Sequence, residues 1–123
     1  MYQILIVDST ETLLEVLSFA FEKYQMRVYT SRSIKEIEQL LLNQTFDLII
    51  YELNFEEKDG ISFAAFLRKE LKKDTLLFLM SEIDKQEIKL RAKENGVDGW
   101  ILKPFIAEQL AKNVRKYLKY SLK

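Results

Sequence analysis

A charged side chain follows each of three short apolar runs in this chain, and the three are Asp8, Glu52 and Lys103. The runs that precede them are residues 4–7, 48–51 and 99–102. If the runs are parallel strands, their carboxyl ends meet at one edge of a sheet, where such folds hold their sites. Two carboxylates and an ammonium then share one cleft. Carboxylates close to an ammonium form ion pairs.

The elements that position these residues follow from two alternating patterns. Short apolar runs predict strands at residues 4–7, 26–29, 46–53, 76–80 and 99–102. Amphipathic segments between and after them predict helices over about 11–24 and 61–71, and a last one after Pro104. Two further helices are predicted, one that opens at Ser33 and buries Ile34, Ile37, Leu40 and Leu41, and one that starts at Asp84 and ends at Asn95-Gly96. This strict alternation predicts an α/β fold with a parallel sheet, helices on both faces and right-handed crossovers.

Several residues carry signals for where the helices begin and end. Thr10 is a candidate cap for the first helix, and Asp59 for the third. Capping boxes are predicted at Ser33 with Glu36 and at Asp84 with Glu87, and Asn95-Gly96 is predicted to end the fourth helix. The apolar stripes expected to be buried are Leu13, Val16, Leu17 and Ala20 in the first helix and Ile106, Leu110, Val114 and Leu118 in the last.

Length and composition narrow the classes of protein. The 123 residues suit one domain spanning 1–123, and 48% hydrophobic content is enough for an ordinary core. The chain has no Cys and no His, which excludes disulfides, thiolate metal sites and the commonest general base. Met1 leads directly into a strand-like run, and no apolar run is long enough to span a bilayer. We therefore expect a cytoplasmic protein that does not associate with membranes.

Charge is balanced overall but divided along the chain. The formal net charge is +0, which argues against electrostatic binding of nucleic acid by the whole chain. Residues 1–61 carry 5 basic and 11 acidic side chains, whereas residues 62–123 carry 14 basic and 8 acidic ones. A polarised surface can steer a charged partner. The alternative interpretation is a set of ordinary solvated helix faces.

Several short motifs, taken in order, resemble the landmarks of the receiver domain of response regulators. The segments are Ile4-Leu5-Ile6-Val7-Asp8, Phe46-Asp47-Leu48-Ile49-Ile50, Asp59-Gly60, Ser81, Gly96-Val97-Asp98-Gly99-Trp100 and Lys103-Pro104-Phe105. They cover nearly the whole chain. The resemblance implies the flavodoxin-like doubly wound (βα)5 fold, with a five-stranded parallel sheet in the order 2-1-3-4-5.

The resemblance also implies roles for individual residues. Members of that family bind magnesium with two acids after the first strand and an aspartate that ends the third. That aspartate accepts a phosphoryl group from a histidine kinase. The matching positions here are Asp8 and Ser9 at the acidic pair, Glu52 at the phospho-acceptor, Ser81 and Lys103 at the phosphoryl contacts, and Trp100 at the aromatic switch.

Two of these positions depart from the family pattern. Ser9 offers a neutral hydroxyl where the family has a second acid, and Glu52 is one methylene longer than aspartate. A displacement of about 1 Å can slow a geometry-controlled reaction on the order of a hundredfold. We therefore expect no phosphorylation at the usual site, no catalytic residue and no cofactor. Any magnesium site would use Asp8, Glu52 and Asn54.

In place of that chemistry, the sequence predicts an ion pair between Glu52 and Lys103, shared with Asp8. At about 4 Å and an effective dielectric near 20, such a pair attracts by about 4 kcal/mol before desolvation. Structural roles remain open for the same residues. Asp8 can serve the start of the first helix, Ser81 can cap the fourth, and Trp100 can simply pack at the surface. Glu52 can equally face solvent. Lys103 can be a plain surface lysine, although its match to the family favours the site.

Three functions from different classes compete. The first is a non-enzymatic receiver-like signalling domain that acts through protein–protein interaction without phosphorylation. The second is a working receiver, phosphorylated by a histidine kinase in a two-component phosphorelay. The third is a flavodoxin-like cofactor carrier, which ranks last because Ser9-Thr10-Glu11-Thr12 contains no glycine to cradle a phosphate.

The resemblance places the partner surface on the fourth helix, fifth strand and fifth helix. The basic and aromatic residues expected there are Lys85, Lys89, Arg91, Lys93, Lys112, Arg115, Lys116, Lys119, Trp100, Tyr117 and Tyr120. Such a composition suits an acidic protein partner, either another signalling protein or a fused output domain. Direct nucleic-acid binding is disfavoured because Glu87, Glu94 and Glu108 interrupt the basic set. A homodimer is compatible with the same surface.

Overall fold

The computed structural model describes residues 1–121 and contains one five-stranded sheet. The strands are β1 (Tyr2–Val7), β2 (Met26–Ser31), β3 (Leu48–Glu52), β4 (Leu76–Ser81) and β5 (Gly99–Leu102). The helices are α1 (Glu11–Lys23), α2 (Ile34–Asn43), α3 (Gly60–Ala65), α4 (Gln86–Glu94) and α5 (Ala107–Ser121). A π-helical segment, Phe66–Glu70, continues α3. All neighbouring strands are parallel, in the order β2-β1-β3-β4-β5, which confirms the predicted fold class.

The sheet separates two hydrophobic cores because alternate residues of each strand point to opposite faces. One core, built around Tyr51 and Phe63, also includes residues of α2, α3 and α4. The other, built around Ile50 and Phe21, includes residues of α1 and α5. The central strand β3 is buried on both faces until Glu52, as a covered parallel sheet requires.

The strand register aligns the carboxyl ends that carry the candidate site. Val7 lies opposite Tyr51, Glu52 opposite Met80, and Ser81 opposite Leu102. The residues that follow or end β1, β3, β4 and β5 therefore emerge along one edge of the sheet.

Several predicted bounds differ from the structure: β1 begins earlier, and β2 and β4 end later, by one or two residues. Larger differences occur at β3 and at the third helix. Residues 46 and 47 precede β3 as a connection, because the Asp47 carboxylate accepts a hydrogen bond from the backbone N–H of Gln3 at 2.8 Å. The third helix does not remain α-helical through residue 71. Its backbone changes to π-helical hydrogen bonding, as in the bond from Leu71 N–H to the Phe66 carbonyl at 3.0 Å.

The helix starts show which capping predictions were right. Asp59 caps α3, since its Oδ1 accepts from the N–H groups of Ile61 and Ser62 at 3.0 and 2.9 Å. Thr10 and Ser33 precede α1 and α2 without a capping side-chain bond, so both of those predictions were wrong. The box predicted at Asp84 is also absent, because α4 begins later and Asp84 pairs with Lys89 instead.

Helix ends and apolar stripes differ from the prediction in smaller ways. Asn95 and Gly96 end α4, and Gly96 has φ +92, a conformation that favours glycine. Val16 is exposed because the buried stripe of α1 runs along the neighbouring face, through Leu14, Leu17, Ala20 and Phe21. Ile106 is also exposed, since it precedes the first turn of α5. Within residues 1–121, no helix is both long and apolar enough to cross a membrane.

Candidate functional site

The aligned strand ends bring Asp8, Glu52 and Lys103 into one cluster. Lys103 Nζ lies 2.8 Å from Asp8 Oδ2 and 3.6 Å from Glu52 Oε2. Asp8 is fully buried, whereas the Glu52 and Lys103 side chains are 17% and 18% exposed. The ammonium therefore lies between two carboxylates at the rim of the sheet, as the three strand ends predicted.

The two ion pairs of Lys103 are unequal. The contact to Asp8 is a charge-assisted hydrogen bond, whereas 3.6 Å to Glu52 leaves only electrostatic attraction. The predicted main partner of Lys103 was Glu52, with Asp8 sharing the ion pair. The structure reverses that order, because Asp8 is buried directly beside the lysine.

Glu52 has a second set of partners that the sequence analysis missed. Its Oε1 accepts the backbone N–H of Ser9 at 3.0 Å and the Ser9 hydroxyl at 2.9 Å. The longer glutamate side chain thus reaches across to the loop after β1. The signal was present in the sequence, since Ser9 stands where the resemblance described above implies an acid, and a hydroxyl can donate where a carboxylate cannot.

Asp8 also fixes the start of α1. Its Oδ1 accepts the backbone N–H of Thr10 at 2.8 Å, and its own N–H reaches the Ser31 carbonyl at 3.4 Å. The same carboxylate therefore serves both the loop that leads into α1 and the lysine of β5. Its role at the helix start and its role in the cluster are compatible.

These contacts decide whether magnesium fits the cluster. Both oxygens of Asp8 accept hydrogen bonds, Glu52 Oε1 accepts two from Ser9, and Glu52 Oε2 faces the Lys103 ammonium. A hard divalent cation requires several oxygens free of competing donors in near-octahedral geometry. Asn54 is exposed at the rim, and residues 1–121 contain no group of three or more carboxylates placed to hold a metal. All four carboxylate oxygens of Asp8 and Glu52 thus face a hydrogen-bond donor or the Lys103 ammonium.

Ser81 and Trp100 both contact the residue Ile83 in the loop after β4. Ser81 Oγ accepts the Ile83 N–H at 2.9 Å, and the Trp100 indole donates to the Ile83 carbonyl at 3.0 Å. Ser81 therefore forms a local turn, because α4 begins only at Gln86. Trp100 is half-buried and held by its polar edge.

A small cleft of about 200 Å³ opens beside the cluster. Its lining residues are Glu52, Asn54, Met80, Ser81, Glu82 and Lys103. Three of the predicted site residues therefore border one space, with Asp8 buried behind them and Trp100 connected through Ile83.

Tyr51 anchors the loop that follows Glu52, another contact that the sequence analysis missed. Its hydroxyl donates to the Lys58 carbonyl at 2.7 Å, and its ring stacks on Phe63 with centroids 4.2 Å apart. Burial, assisted by the carboxylates of Asp59, Glu57 and Glu52, raises the pKa of the Tyr51 hydroxyl above its ordinary value. The hydroxyl stays protonated and holds the loop beside the cluster.

The basic residues predicted on one surface are divided between two grooves. Lys89 and Lys93 of α4 line one groove with Trp100 and Asp98. The other groove lies between α1 and α5, and its lining residues are Lys23, Tyr24, Gln25, Lys112, Arg115, Lys116, Lys119 and Tyr120. The cations of α5 thus turn toward α1, so the α4–β5–α5 face is less basic than predicted.

Sequence comparisons identify proteins similar to this chain. The family model described as "Response regulator receiver domain" matches residues 4–115. The transcriptional regulatory protein SrrA of Staphylococcus aureus is 25% identical over 117 residues, which cover 95% of this chain and 48% of that protein. The chain therefore spans about half the length of the curated relatives that it matches.

Solved structures give the same result for the fold. A two-component response regulator from Clostridium difficile superposes with a TM-score of 0.89 at 21% identity, over 99% of this chain and 98% of that one. The Francisella response regulator 1452 receiver domain superposes with a TM-score of 0.88 at 24% identity, over 98% of this chain and 99% of that one. The chemotaxis response regulator CheY4 of Vibrio cholerae superposes with a TM-score of 0.85 at 26% identity, over 94% of this chain and 98% of that one.

Proposed function

The chain belongs to the response regulator receiver domain family, and from this membership we propose that it is an atypical member, which signals through protein contacts without phosphorylation at Glu52. The family works in two-component signalling. In this proposal Asp8 and Ser9 stand at the acidic positions, Glu52 at the phospho-acceptor position, and Ser81, Trp100 and Lys103 at the phosphoryl-contact and switch positions.

The observation that carries the proposal is the set of contacts around Glu52. Oε1 accepts two hydrogen bonds from Ser9, and Oε2 faces Lys103. A carboxylate attacks phosphorus as a nucleophile only when a lone pair is available and the developing charge is stabilised. Here the stabilising cation, Lys103, hydrogen-bonds to Asp8. Ser9, at the position of the second metal ligand, donates hydrogen bonds to Glu52 instead. The cluster is therefore satisfied without a phosphoryl group.

The same network supports a fixed conformation of the switch positions. Ser81 and Trp100 are both bonded to Ile83, so movement of either requires a hydrogen bond to be broken. With no phosphoryl oxygen to attract Ser81, we expect both side chains to stay in place. The domain then responds to a partner rather than to covalent modification, and it works as a cytoplasmic, non-enzymatic module.

The experiment that tests the proposal is phosphorylation with a small acyl-phosphate donor in the presence of magnesium. We expect no phosphoryl adduct on the wild-type chain by intact-mass spectrometry. The double variant Ser9→Asp with Glu52→Asp restores both carboxylates that the family pattern has, and we expect it to gain one adduct. Because Trp100 is the sole tryptophan, its fluorescence reports on the cleft in the same samples.

Two results would contradict the proposal. An adduct on Glu52 of the wild-type chain would identify a working phospho-acceptor, which is the alternative function. A magnesium-dependent change of Trp100 emission in the wild type, matched in size by the double variant, would show that the present donor set binds the ion after all. The variant Ser9→Asp with Glu52→Gln is the control, because it carries one new carboxylate but no acceptor.

We place the partner surface of this module on the α4–β5 side, around Trp100. Lys89 and Lys93 border Trp100 there, and Leu90 and Leu102 are 55% and 43% exposed. Cations and aromatic residues around exposed apolar side chains are typical of a surface that docks protein. A partner with an acidic face, either a separate signalling protein or an output domain, suits this composition.

A further inference from the structure

One face of α5 carries four cations, and none of them forms an ion pair within 4.0 Å in residues 1–121. Lys112, Arg115, Lys116 and Lys119 recur at positions i, i+3, i+4 and i+7, which places them along one face of a helix. They line the groove of about 520 Å³ between α1 and α5, here called the basic groove. Like charges four residues apart destabilise a helix. An anionic surface that covered the groove would offset that repulsion.

The distribution of ion pairs sets these cations apart. Within residues 1–121, the ion pairs up to 4.0 Å involve Lys23, Arg32, Arg68, Lys89 and Lys103, and none involves the four cations of α5. Arg115 lies over the Tyr2 ring at 5.0 Å, which leaves its charge without a carboxylate. The four α5 cations of the basic groove therefore remain available to an external anion, whereas Lys23 in the same groove pairs with Glu108.

An acidic counterpart lies on the other side of α1. Glu11, Glu15, Phe19 and Glu22 recur at i, i+4, i+8 and i+11, and with Glu36 of α2 they line a groove of about 470 Å³. Phe19 is 76% exposed at its centre. In the described part of the chain, Glu11 pairs with Arg32 at 3.4 Å, and no ion pair involves Glu15, Glu22 or Glu36. This surface is here called the acidic face.

The two surfaces match in spacing as well as in charge. Glu15 and Glu22 are seven residues apart, as are Lys112 and Lys119, so each pair spans about 10.5 Å along its helix. Phe19 lies between the two glutamates. Opposite it, the aliphatic part of Lys116 and the ring of Tyr24 offer apolar cover inside the basic groove.

From this match we propose that the acidic face of one molecule docks into the basic groove of a second copy of the chain. The contact joins two different surfaces, so each docked pair keeps one acidic face and one basic groove open. Molecules therefore add head to tail instead of closing into a two-fold dimer. The proposal does not depend on the chemistry of Glu52.

The test measures the mass of the full chain in solution by sedimentation velocity at low ionic strength. We expect the average mass of the wild type to rise with concentration beyond that of a dimer, and to fall as salt is added because the contact is electrostatic. The basic-groove variant is Lys112→Glu with Lys116→Glu, and the acidic-face variant is Glu15→Lys with Glu22→Lys. We expect each variant alone to be monomeric, with self-affinity reduced at least about tenfold.

Mixing the two variants gives the sharpest result. The basic-groove variant keeps an intact acidic face, and the acidic-face variant keeps an intact basic groove. An equimolar mixture therefore associates again, through the two wild-type surfaces and through the two reversed surfaces, which are also opposite in charge. The matched control, Lys69→Glu with Lys72→Glu, changes the net charge equally at two exposed lysines that line neither groove, and it associates like the wild type. Circular dichroism verifies that every variant is folded.

Four outcomes would overturn the proposal. They are a wild type that stays monomeric at low salt, a wild type whose mass stops at a dimer, a mixture that stays monomeric although both variants are folded, and a control that loses association as fully as the groove variant. The first would leave the basic groove to a different acidic partner. The second would indicate a two-fold interface elsewhere, and the last would attribute the effect to net charge.

Discussion

Asp8 is a fully buried carboxylate, and within residues 1–121 its ion-pair partner is Lys103. Lys103 Nζ, at 2.8 Å, is its ammonium partner, while Thr10 N–H supplies a second hydrogen bond. Removing one member of a buried pair leaves an uncompensated charge in a medium that solvates it poorly. The contact between Lys103 and Asp8 therefore both fills the site and stabilises the fold.

The variant Lys103→Met tests that dependence. We expect it to lower the free energy of unfolding by about 3 kcal/mol, since the buried Asp8 carboxyl group would lose its ammonium partner. Urea denaturation at neutral pH measures the change. The exposed Lys93→Met serves as control and should stay within about 0.5 kcal/mol of the wild type. Equal stability of the two variants would show that the ammonium contributes nothing to holding Asp8.

The sequence predicted which residues meet at the strand ends, but not how they bond. The convergence of Asp8, Glu52 and Lys103 follows from parallel strands alone. The bond from Ser9 to Glu52 depends instead on which way a long side chain turns, and residue spacing does not determine a rotamer. Side-chain rotamers also decide that Lys103 hydrogen-bonds to Asp8 and not to Glu52.

At the scale of elements, the loop between β3 and α3 is held at several points. Tyr51 bonds to the Lys58 carbonyl, Asp59 caps α3, and Glu57 Oε1 accepts the N–H of Ile34 at 3.2 Å. The loop is therefore connected to its own strand, its own helix and the start of α2. Sequence patterns indicated the Asp59 cap, whereas the other two contacts join residues of different elements.

The variant Tyr51→Phe tests the first of these anchors. It keeps the ring that stacks on Phe63 but removes the donor to Lys58, so we expect a loss of about 1 kcal/mol and faster amide exchange in residues 53–59. Tyr117→Phe, at a residue 41% exposed, is the control and should change neither. Unchanged exchange in the loop of the Tyr51 variant would show that the hydroxyl does not hold it.

The same variant predicts a pH dependence. The pKa of Tyr51 is raised in the folded chain, so its contribution to stability is fully present below the unfolded pKa of about 10 and is lost as pH rises above it. The stability difference between wild type and Tyr51→Phe should be constant near neutral pH and shrink in alkaline solution. A difference that grew with pH would contradict the assigned cause.

Element boundaries were predicted less well than element types. Arg68 illustrates the reason, because its guanidinium bonds to the carbonyls of Lys73, Thr75 and Gly96 and to Asp98 Oδ2. These contacts surround the π-helical segment that no periodicity predicted. Tertiary contacts decide how a helix ends, and a local pattern does not contain them.

At the scale of the whole molecule, the two cores share the same five strands. Neither helical layer has a sheet of its own, so we expect the chain to unfold in one cooperative transition. Far-UV circular dichroism and Trp100 fluorescence should give coincident urea curves. Separate midpoints would show that one layer detaches first. The strand order was predicted from the family resemblance, whereas the division of the cations between two grooves required the folded chain.

Because Ser9 donates hydrogen bonds to Glu52, the order in which these two residues are substituted matters for the pocket. Exchanging Ser9 for aspartate first would set a carboxylate against Glu52 Oε1, where repulsion replaces the hydroxyl donor and only the backbone N–H remains. Exchanging Glu52 for aspartate first withdraws the longer side chain before the second anion arrives. The two single steps toward a metal-binding pocket therefore differ in accessibility, and the order in which they occur decides whether the intermediate chain is tolerated.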